Sequence, residues 1–327
     1  LRYLSSADVE AAMPAIEARL RLAELTMVAL DGSAELPPKI GVHPAETGSF
    51  AHAMPALMRT MFPGSDELLG LKWVTGFPSN ADRGLPAIHA TTILNDARTG
   101  LARAFMDAGA LTAARTAAIS GLVIRRWGPG TGDRVRVAII GAGAQARSHL
   151  PVIGHLLPDA EIALCDRDLA RAEGLAREIV ADTGHPGHGM TVRVMSQPAD
   201  AVAGADLVLT LISFGPDRQS VPEEAFGSEA TIVAVDYDMC VPASLAVGAS
   251  LFLVDHREQY LANHTSAAFV GYPETVVTIG EAIRRGSERP AGRVLVTHLG
   301  VGLADVVFAD AVLRTAEATG IGTILPR

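Results

Sequence analysis

The sequence predicts an α/β protein, with a doubly wound parallel sheet preceded by a segment of α+β character. Three observations predict it. From about residue 135 onward, short apolar runs alternate with helical stretches, the rhythm of strand–helix–strand units. One of those runs passes into a glycine-rich turn that opens a helix. Before about residue 107 the chain is strand-like and dense in turn residues, which suits antiparallel pairing.

With 327 residues the chain is long enough for two domains. Nearly half the residues are hydrophobic, so a large core is expected and disorder is not. The net charge is -9 and no cluster of Lys and Arg stands out, which argues against a nucleic-acid partner. No apolar run is long enough to cross a bilayer, so no membrane partner is expected. No charged-then-apolar signal segment opens the chain, and a cytoplasmic location is expected. Cys165 and Cys240 read as reduced thiols, and their separation suits no zinc motif. His185 and His188 flank Pro186-Gly187 with no third ligand nearby, so no metal is expected.

Taken in order, Ser5-Ser6-Ala7-Asp8 reads as a helix start, with a hydroxyl followed three residues later by an acid. An amphipathic helix to about Leu30 should follow, broken by Asp31-Gly32-Ser33. Leu36-Pro37-Pro38-Lys39 forces an extended segment. Pro63-Gly64, Phe77-Pro78, Asp82-Arg83-Gly84 and Asn95-Asp96 then mark turns between strands. Met54, Met58 and Met61 read as core filler. The alanine-rich run from Thr112 predicts a helix capped by that threonine and ending near Trp127, before Gly128-Pro129-Gly130. Buried strands are expected at 135–140, 161–165, 191–194, 206–212, 231–235, 251–254 and 293–298, and a last helix at about 304–319. The N-terminal part has too few long helices to cover a sheet on both faces, which predicts a homodimer.

The strand 135–140 runs into Gly141-Ala142-Gly143-Ala144-Gln145-Ala146, the Rossmann fingerprint with alanine at its third position. Gly141 makes the tight turn, Gly143 lets the backbone approach a pyrophosphate, and Ala146 lets the helix pack close to the strand. The helix N-terminus, including Ala144 and Gln145, offers free N–H groups to the phosphates. The next strand ends at Asp166, roughly 25 residues on, near where an acid contacts ribose hydroxyls. That acid favours NAD over NADP, although Arg167 and Arg171 nearby would suit a 2′-phosphate.

Further stretches carry a resemblance that extends over nearly the whole chain. They are Pro37-Pro38-Lys39, Met54-Pro55, Gly70-Leu71-Lys72-Trp73-Val74, Phe77-Pro78-Ser79-Asn80, Asn95-Asp96-Ala97-Arg98-Thr99-Gly100, Leu111 to Ala118, the fingerprint, and Gly300 to Asp305. In these the chain resembles the ornithine cyclodeaminase/μ-crystallin family. The resemblance implies a discontinuous dimerisation and substrate domain, 1–120 with 306–327, around a Rossmann domain, 121–305. It also implies NAD(H) or NADP(H) as cofactor and an amino or imino acid as substrate. The family includes ornithine and lysine cyclodeaminases, alanine dehydrogenase and ketimine reductases.

By the same resemblance, Arg115 matches a carboxylate-binding arginine, whose planar fork suits bidentate capture. Thr116, beside it, falls on the cofactor side. Lys72 matches an active-site lysine that binds the carboxylate or assists proton transfer; the alternative is an edge-strand lysine turned outward. Lys39 stands where cyclodeaminases carry arginine, keeping the charge and losing the fork. His52 stands where ornithine cyclodeaminase has a glutamate for the distal amine, or it is a packing residue. Asp238, in Asp236-Tyr237-Asp238-Met239, falls at the family's catalytic aspartate, with Asp236 the rival; Cys240-Val241-Pro242 replaces the usual Pro-Gly-Lys. Asp305 matches a family acid near the nicotinamide end or caps the last helix, and the capping role is the one expected.

The predicted activity is that of an NAD(P)-dependent oxidoreductase at the C–N bond of a small amino or imino acid. One alternative is a cyclodeaminase that releases ammonia and recycles NAD within the site. The other is a non-catalytic dinucleotide-binding protein resembling a crystallin. His52 in place of glutamate disfavours the cyclodeaminase, because histidine supplies no fixed negative charge.

Overall fold

The computed structural model describes residues 1–60, 66–130, 134–181, 189–213, 218–265 and 268–326. Strand β1 (Arg2–Leu4) leads into α1 (Ser6–Ala11), whose start is the expected capping box: the Ser5 hydroxyl accepts from the Asp8 amide, and Asp8 accepts from the Ser5 amide. The single long helix expected to Leu30 is two helices. Pro14 lies between α1 and α2 (Ile16–Ala29), and a proline there removes a backbone donor and clashes with the turn before it. Short strands β2 (Ala34–Glu35) and β3 (Ile40–Val42) are followed by β4 (Phe50–Met58), β5 (Leu68–Gly76), β6 (Ile88–Asn95) and β7 (Ala102–Asp107).

Helix α3 (Gly109–Trp127) begins a turn earlier than Thr112. Thr112 is therefore interior, its amide already bonded to the Ala108 carbonyl, and the Asp107 carboxylate accepts from the Gly109 amide instead. Next come β8 (Arg136–Ile140), α4 (Ala144–Leu156), β9 (Glu161–Cys165), α5 (Leu169–Ala181), β10 (Thr191–Met195), α6 (Pro198–Val202) and β11 (Leu207–Thr210). They are followed by β12 (Thr231–Ala234), α7 (Ala243–Gly248), β13 (Leu251–Val254), α8 (Arg257–Thr265), β14 (Val277–Thr278), α9 (Ile279–Arg284) and β15 (Val294–Thr297). The chain closes with α10 (Gly302–Thr319) and β16 (Thr323–Ile324).

The chain divides into two compact units, Leu1–Arg115 with Gly300–Arg327, and Thr116–Leu299. In the discontinuous unit the strands run in the order β16-β1-β7-β6-β5-β4-β2, with β3 also paired to β4. The pairs among β4, β5, β6 and β7 are antiparallel. Helix α10 packs on β4, β5 and β6, with α2 beside it. Two glycines let it lie close: a Cβ on Gly302 would sit 2.7 Å from the Met54 carbonyl, and one on Gly70 2.9 Å from a Val306 methyl.

The other unit holds a parallel sheet of order β10-β9-β8-β11-β12-β15-β13-β14. This is the doubly wound arrangement, with the order reversing between β8 and β11, where such sheets bind ligands beyond their carboxyl ends. Its central strands are buried apolar runs, β11, β12 and β15 at every position, whereas β10, expected to be buried, is an edge strand with Thr191 and Arg193 exposed. Both cysteines are free and buried. Met54 and Met58 are in the core, while Met61, His185 and His188 lie outside the described residues. Among the described residues no helix is long and apolar enough to cross a membrane.

Candidate functional site

In the discontinuous unit the even-numbered residues of β5 face α10, because side chains alternate along a strand. That places Lys72 under the helix, 2 % exposed, rather than outward on an edge. Its Nζ lies 2.7 Å from Oδ2 of Asp305, in the first turn of α10. The other oxygen, Oδ1, accepts from Arg115 Nε at 3.0 Å. Arg115 is 6 % exposed and reaches the same carboxylate from α3. The two terminal nitrogens of the guanidinium lie against Gly300, where a Cβ would sit 2.9 and 3.0 Å from them. Gly300 also has φ +77°, so its backbone and the space above it both require glycine.

Two positive groups and one negative group are thus buried together. Isolated buried charge is costly, and among the described residues one partner carboxylate leaves an excess of one positive charge. Burial pushes the Lys72 ammonium down to about 8; Asp305 pulls it back up, and the charges of Arg115 and Lys39 lower it further. Burial alone would raise the Asp305 carboxyl, but Arg115 and Lys72 hold it below the usual carboxylate range. Asp305 does not cap α10, contrary to expectation. The N-cap position is Val301, and Asp305 lies inside the first turn, turned to the two cations.

His52 lies on the α10-facing side of β4, with its ring stacked on Phe50 at 4.6 Å. Burial lowers its imidazole, and the charges of Lys39, His43 and Lys72 lower it further. Lys39 is half-buried just before β3. The charge of Lys39 thus lowers both Lys72 and His52, and that of Arg115 lowers Lys72.

In the parallel-sheet unit, Gly141 has φ +106° and a Cβ there would be 2.8 Å from the Leu211 carbonyl, so the turn after β8 requires glycine. Gly143 is the N-cap of α4 and offers no side chain to the first amides of that helix. Nothing lies within 4 Å of the Cβ position of Gly143, which leaves room for a close backbone approach. Ala144 is exposed and Ala146 fully buried, as tight helix–strand packing needs. Gln145 Oε1 is a buried acceptor with no partner among the described residues. An uncapped helix start, an open glycine and an orphaned acceptor fit a dinucleotide's phosphates and hydrogen-bond donors. Asp166 does more than end β9: Oδ2 accepts from the Ala142 amide at 2.7 Å and Oδ1 from the Asp168 amide at 2.9 Å. Arg171 lies 3.8 Å from Asp166 and 3.6 Å from Asp168, while Arg167 is exposed. Thr116, the first residue of this unit, is buried in α3.

After β12 the two candidate aspartates part company. Asp236 is 1 % exposed; the Thr210 hydroxyl donates to it at 2.6 Å and the Ile212 amide at 3.4 Å. Burial raises its carboxyl to about 6 in spite of those bonds. Asp238 accepts from Arg218 Nε at 3.1 Å and from the Phe269 amide at 2.8 Å. Tyr237 and Phe269, whose rings stack at 5.6 Å, are the two non-glycine residues with positive φ among the described residues. Backbone strain therefore gathers next to Asp238, as it does at functional loops.

Residues 4–240 match the sequence model of the ornithine cyclodeaminase/mu-crystallin family. The chain belongs to this family. The nodulation efficiency protein NfeD of Rhizobium meliloti is 29 % identical over 99 % of the chain and 98 % of its own length. An alanine dehydrogenase of Archaeoglobus fulgidus is 28 % identical over 97 % of the chain and 93 % of its own length. Among solved structures, the Δ1-pyrroline-2-carboxylate reductase of Thermococcus litoralis, solved with NADH and L-proline, superimposes with a TM-score of 0.83. It does so at 21 % identity, over 99 % of this chain and all of that one.

Beyond the residues anticipated from the sequence, this family member contains a polar network that spacing alone does not announce. Ser120 Oγ in α3 lies 2.8 Å from Nε2 of His149 in α4 and 2.9 Å from Nε2 of His298 after β15. His149 Nδ1 is 2.7 Å from the Gln145 carbonyl, so Nδ1 carries the proton and Nε2 accepts from the serine. His298 must then donate to Ser120. Arg218 was likewise invisible in the sequence, since no local pattern links it to Asp238.

Proposed function

We propose that this family member is an NAD-dependent oxidoreductase acting at the C–N bond of a small amino or imino acid. The observation that carries the reading is the buried excess of positive charge at Lys72, Arg115 and Asp305, which a ligand carboxylate would balance. The parallel-sheet unit supplies the cradle for the dinucleotide: the uncapped amides at the start of α4, the open Gly143 and Asp166, an acid that disfavours a 2′-phosphate and so favours NAD over NADP. A bound nicotinamide supplies or accepts the hydride.

The chain's own residues do the rest. The guanidinium of Arg115 commits Nε to Asp305 and keeps its terminal edge for a bidentate carboxylate. Lys72, with its ammonium lowered to about 8, both attracts the carboxylate and can exchange a proton near neutral pH. Only Lys39 and Lys72 are lysines among the chain's 27 lysine and arginine residues. Arginine cannot give up its proton in a protein, so lysine at these two places suits proton exchange. Asp238 is assigned the proton transfer at the substrate nitrogen, with Asp236 as its rival. His52, kept neutral by burial and nearby cations, offers no anion to a distal amine, which favours a short side chain over ornithine.

The same reading includes a homodimer. The sheet face of the discontinuous unit opposite α10 carries a row of partnered positions, Pro55, Leu71, Ile93, Phe105 and Tyr3, with Trp73 beside it. Trp73 is 43 %, Phe105 40 % and Tyr3 37 % exposed in the single chain, a large apolar surface to leave in water. Light scattering at micromolar concentration checks the mass, and a monomer removes the dimer.

The experiment that tests the activity is a screen of amino acids, and of keto acids with amines, followed by nicotinamide absorbance and ammonia release together. Net absorbance change with a small amino or imino acid is expected. Ammonia released without net absorbance change means cyclodeamination, and no turnover with any substrate means a binding protein.

A further inference from the structure

The Asp305 carboxylate is fully buried, and each of its oxygens meets a different cation delivered by a different element, Lys72 from β5 and Arg115 from α3. Its place is set by close backbone contact. Gly302 lies over the Met54 carbonyl and Gly70 over Val306, so the first turn of α10 has little room to shift on β4 and β5. We propose that Asp305 is the positioning residue of the carboxylate site, holding a proton on Lys72 and turning the terminal edge of Arg115 toward the ligand. This deepens the proposed function and rests on its assignment of Lys72 and Arg115 to a substrate carboxylate.

The charge balance explains why a carboxylate is needed there. Lys72 faces Asp305 on α10 and Arg115 on α3, and also feels Lys39 before β3; His52 on β4 shares this neighbourhood. Of these Asp305 alone is negative. Without it, burial and the arginine would act on Lys72 unopposed, and an opposite charge at such range changes a proton affinity by about 1–3 pH units. For Arg115 the effect is one of aim. A guanidinium has a side edge containing Nε and an end edge made of its two terminal nitrogens. Asp305 occupies Nε at 3.0 Å, and Gly300 supports the terminal nitrogens from below. A ligand carboxylate then has the end edge available for two parallel bonds.

The chain has only two lysines, Lys39 and Lys72, so the whole protein labelled with 13C-lysine gives two side-chain signals to titrate. Asp305→Asn is expected to move the Lys72 midpoint down by about 1–3 pH units while leaving Lys39 nearly in place. That readout needs no substrate, so it stands or falls separately from the identity of the ligand. With a turned-over substrate in hand, the limb of the kcat/KM profile that reports Lys72 should move to lower pH by the same amount, and KM should rise. Asp305→Glu restores the charge and displaces it by one methylene, so it should return the Lys72 midpoint while KM stays raised. It also serves as the second variant should the asparagine form fail to fold. A Lys72 midpoint unchanged in Asp305→Asn, or a KM fully restored in Asp305→Glu, overturns the proposal.

Discussion

Each unit holds a buried polar cluster, and the two clusters are built differently. In the discontinuous unit the buried cluster is charged and, among the described residues, unbalanced, with two cations around the carboxylate of Asp305. In the parallel-sheet unit the buried Ser120, His149 and His298 form a chain of hydrogen bonds in which burial holds His149 neutral, and Asp238 is matched by Arg218. A hydrogen-bonded polar network costs less to bury than an unbalanced charge and fastens three elements together. An unbalanced charge is costly unless a ligand completes it. Buried polarity alone therefore does not mark a ligand site; its charge balance is the better guide.

The largest test of that contrast is at the aspartates, where an acid paired with an arginine in the parallel-sheet unit is assigned chemistry. Asp238→Asn keeps the shape but cannot accept a proton, and kcat should fall by about 10²–10⁴-fold, the usual worth of a positioned acid or base. NADH affinity, read by fluorescence titration, should hardly change. Asp236→Asn is the companion measurement, and a loss confined to it exchanges the two roles.

Next comes the serine–histidine network. Burial holds His149 neutral down to about pH 4 in the folded chain, against 6.5 for a free histidine. Between those values the unfolded chain takes up a proton that the folded one refuses. Stability is therefore highest above pH 6.5 and is lost as pH falls toward 4, by on the order of 3 kcal/mol. Denaturant unfolding across that range should show the loss, and His149→Gln should flatten it. An equal slope in the variant assigns the acid sensitivity elsewhere.

In the charged cluster Arg115→Lys keeps the charge and loses the fork. KM for the amino acid should rise roughly 10- to 100-fold, as for one lost charge-assisted hydrogen bond, with NADH binding intact. A raised Kd for NADH instead would mean that Arg115 serves the cofactor. The smallest effect is expected at Asp166, whose charge should favour NADH over NADPH by about tenfold, with Asp166→Ala narrowing the gap. Because Asp166 also holds the Ala142 amide, the variant should weaken both cofactors. Equal affinities in the unaltered protein would show that Arg167 or Arg171 dominates.

Much of the fold could be read along the chain. Strands of the parallel sheet other than the two-residue β14 fall within a residue or two of where apolar runs placed them, because a central strand buried on both faces has to be apolar throughout. The fingerprint was legible for a related reason: Gly141 and Gly143 act through local backbone geometry, which neighbouring residues announce. Local errors came where one residue overrode a pattern, as Pro14 did in splitting the first helix and Asp107 in starting α3 ahead of Thr112.

The sequence by itself determined the α/β class, the dinucleotide turn, and Lys72 and Arg115 as charges worth explaining. Only the tertiary structure decided that Asp305 joins them, that Arg218 pairs with Asp238, and that Ser120 links two histidines. The physical reason is range. Caps, turns and periodicities act over a few residues and leave a mark in the text of the chain. A buried ion pair between residues 72 and 305 depends on a helix laid across a sheet, and nothing near either residue records it.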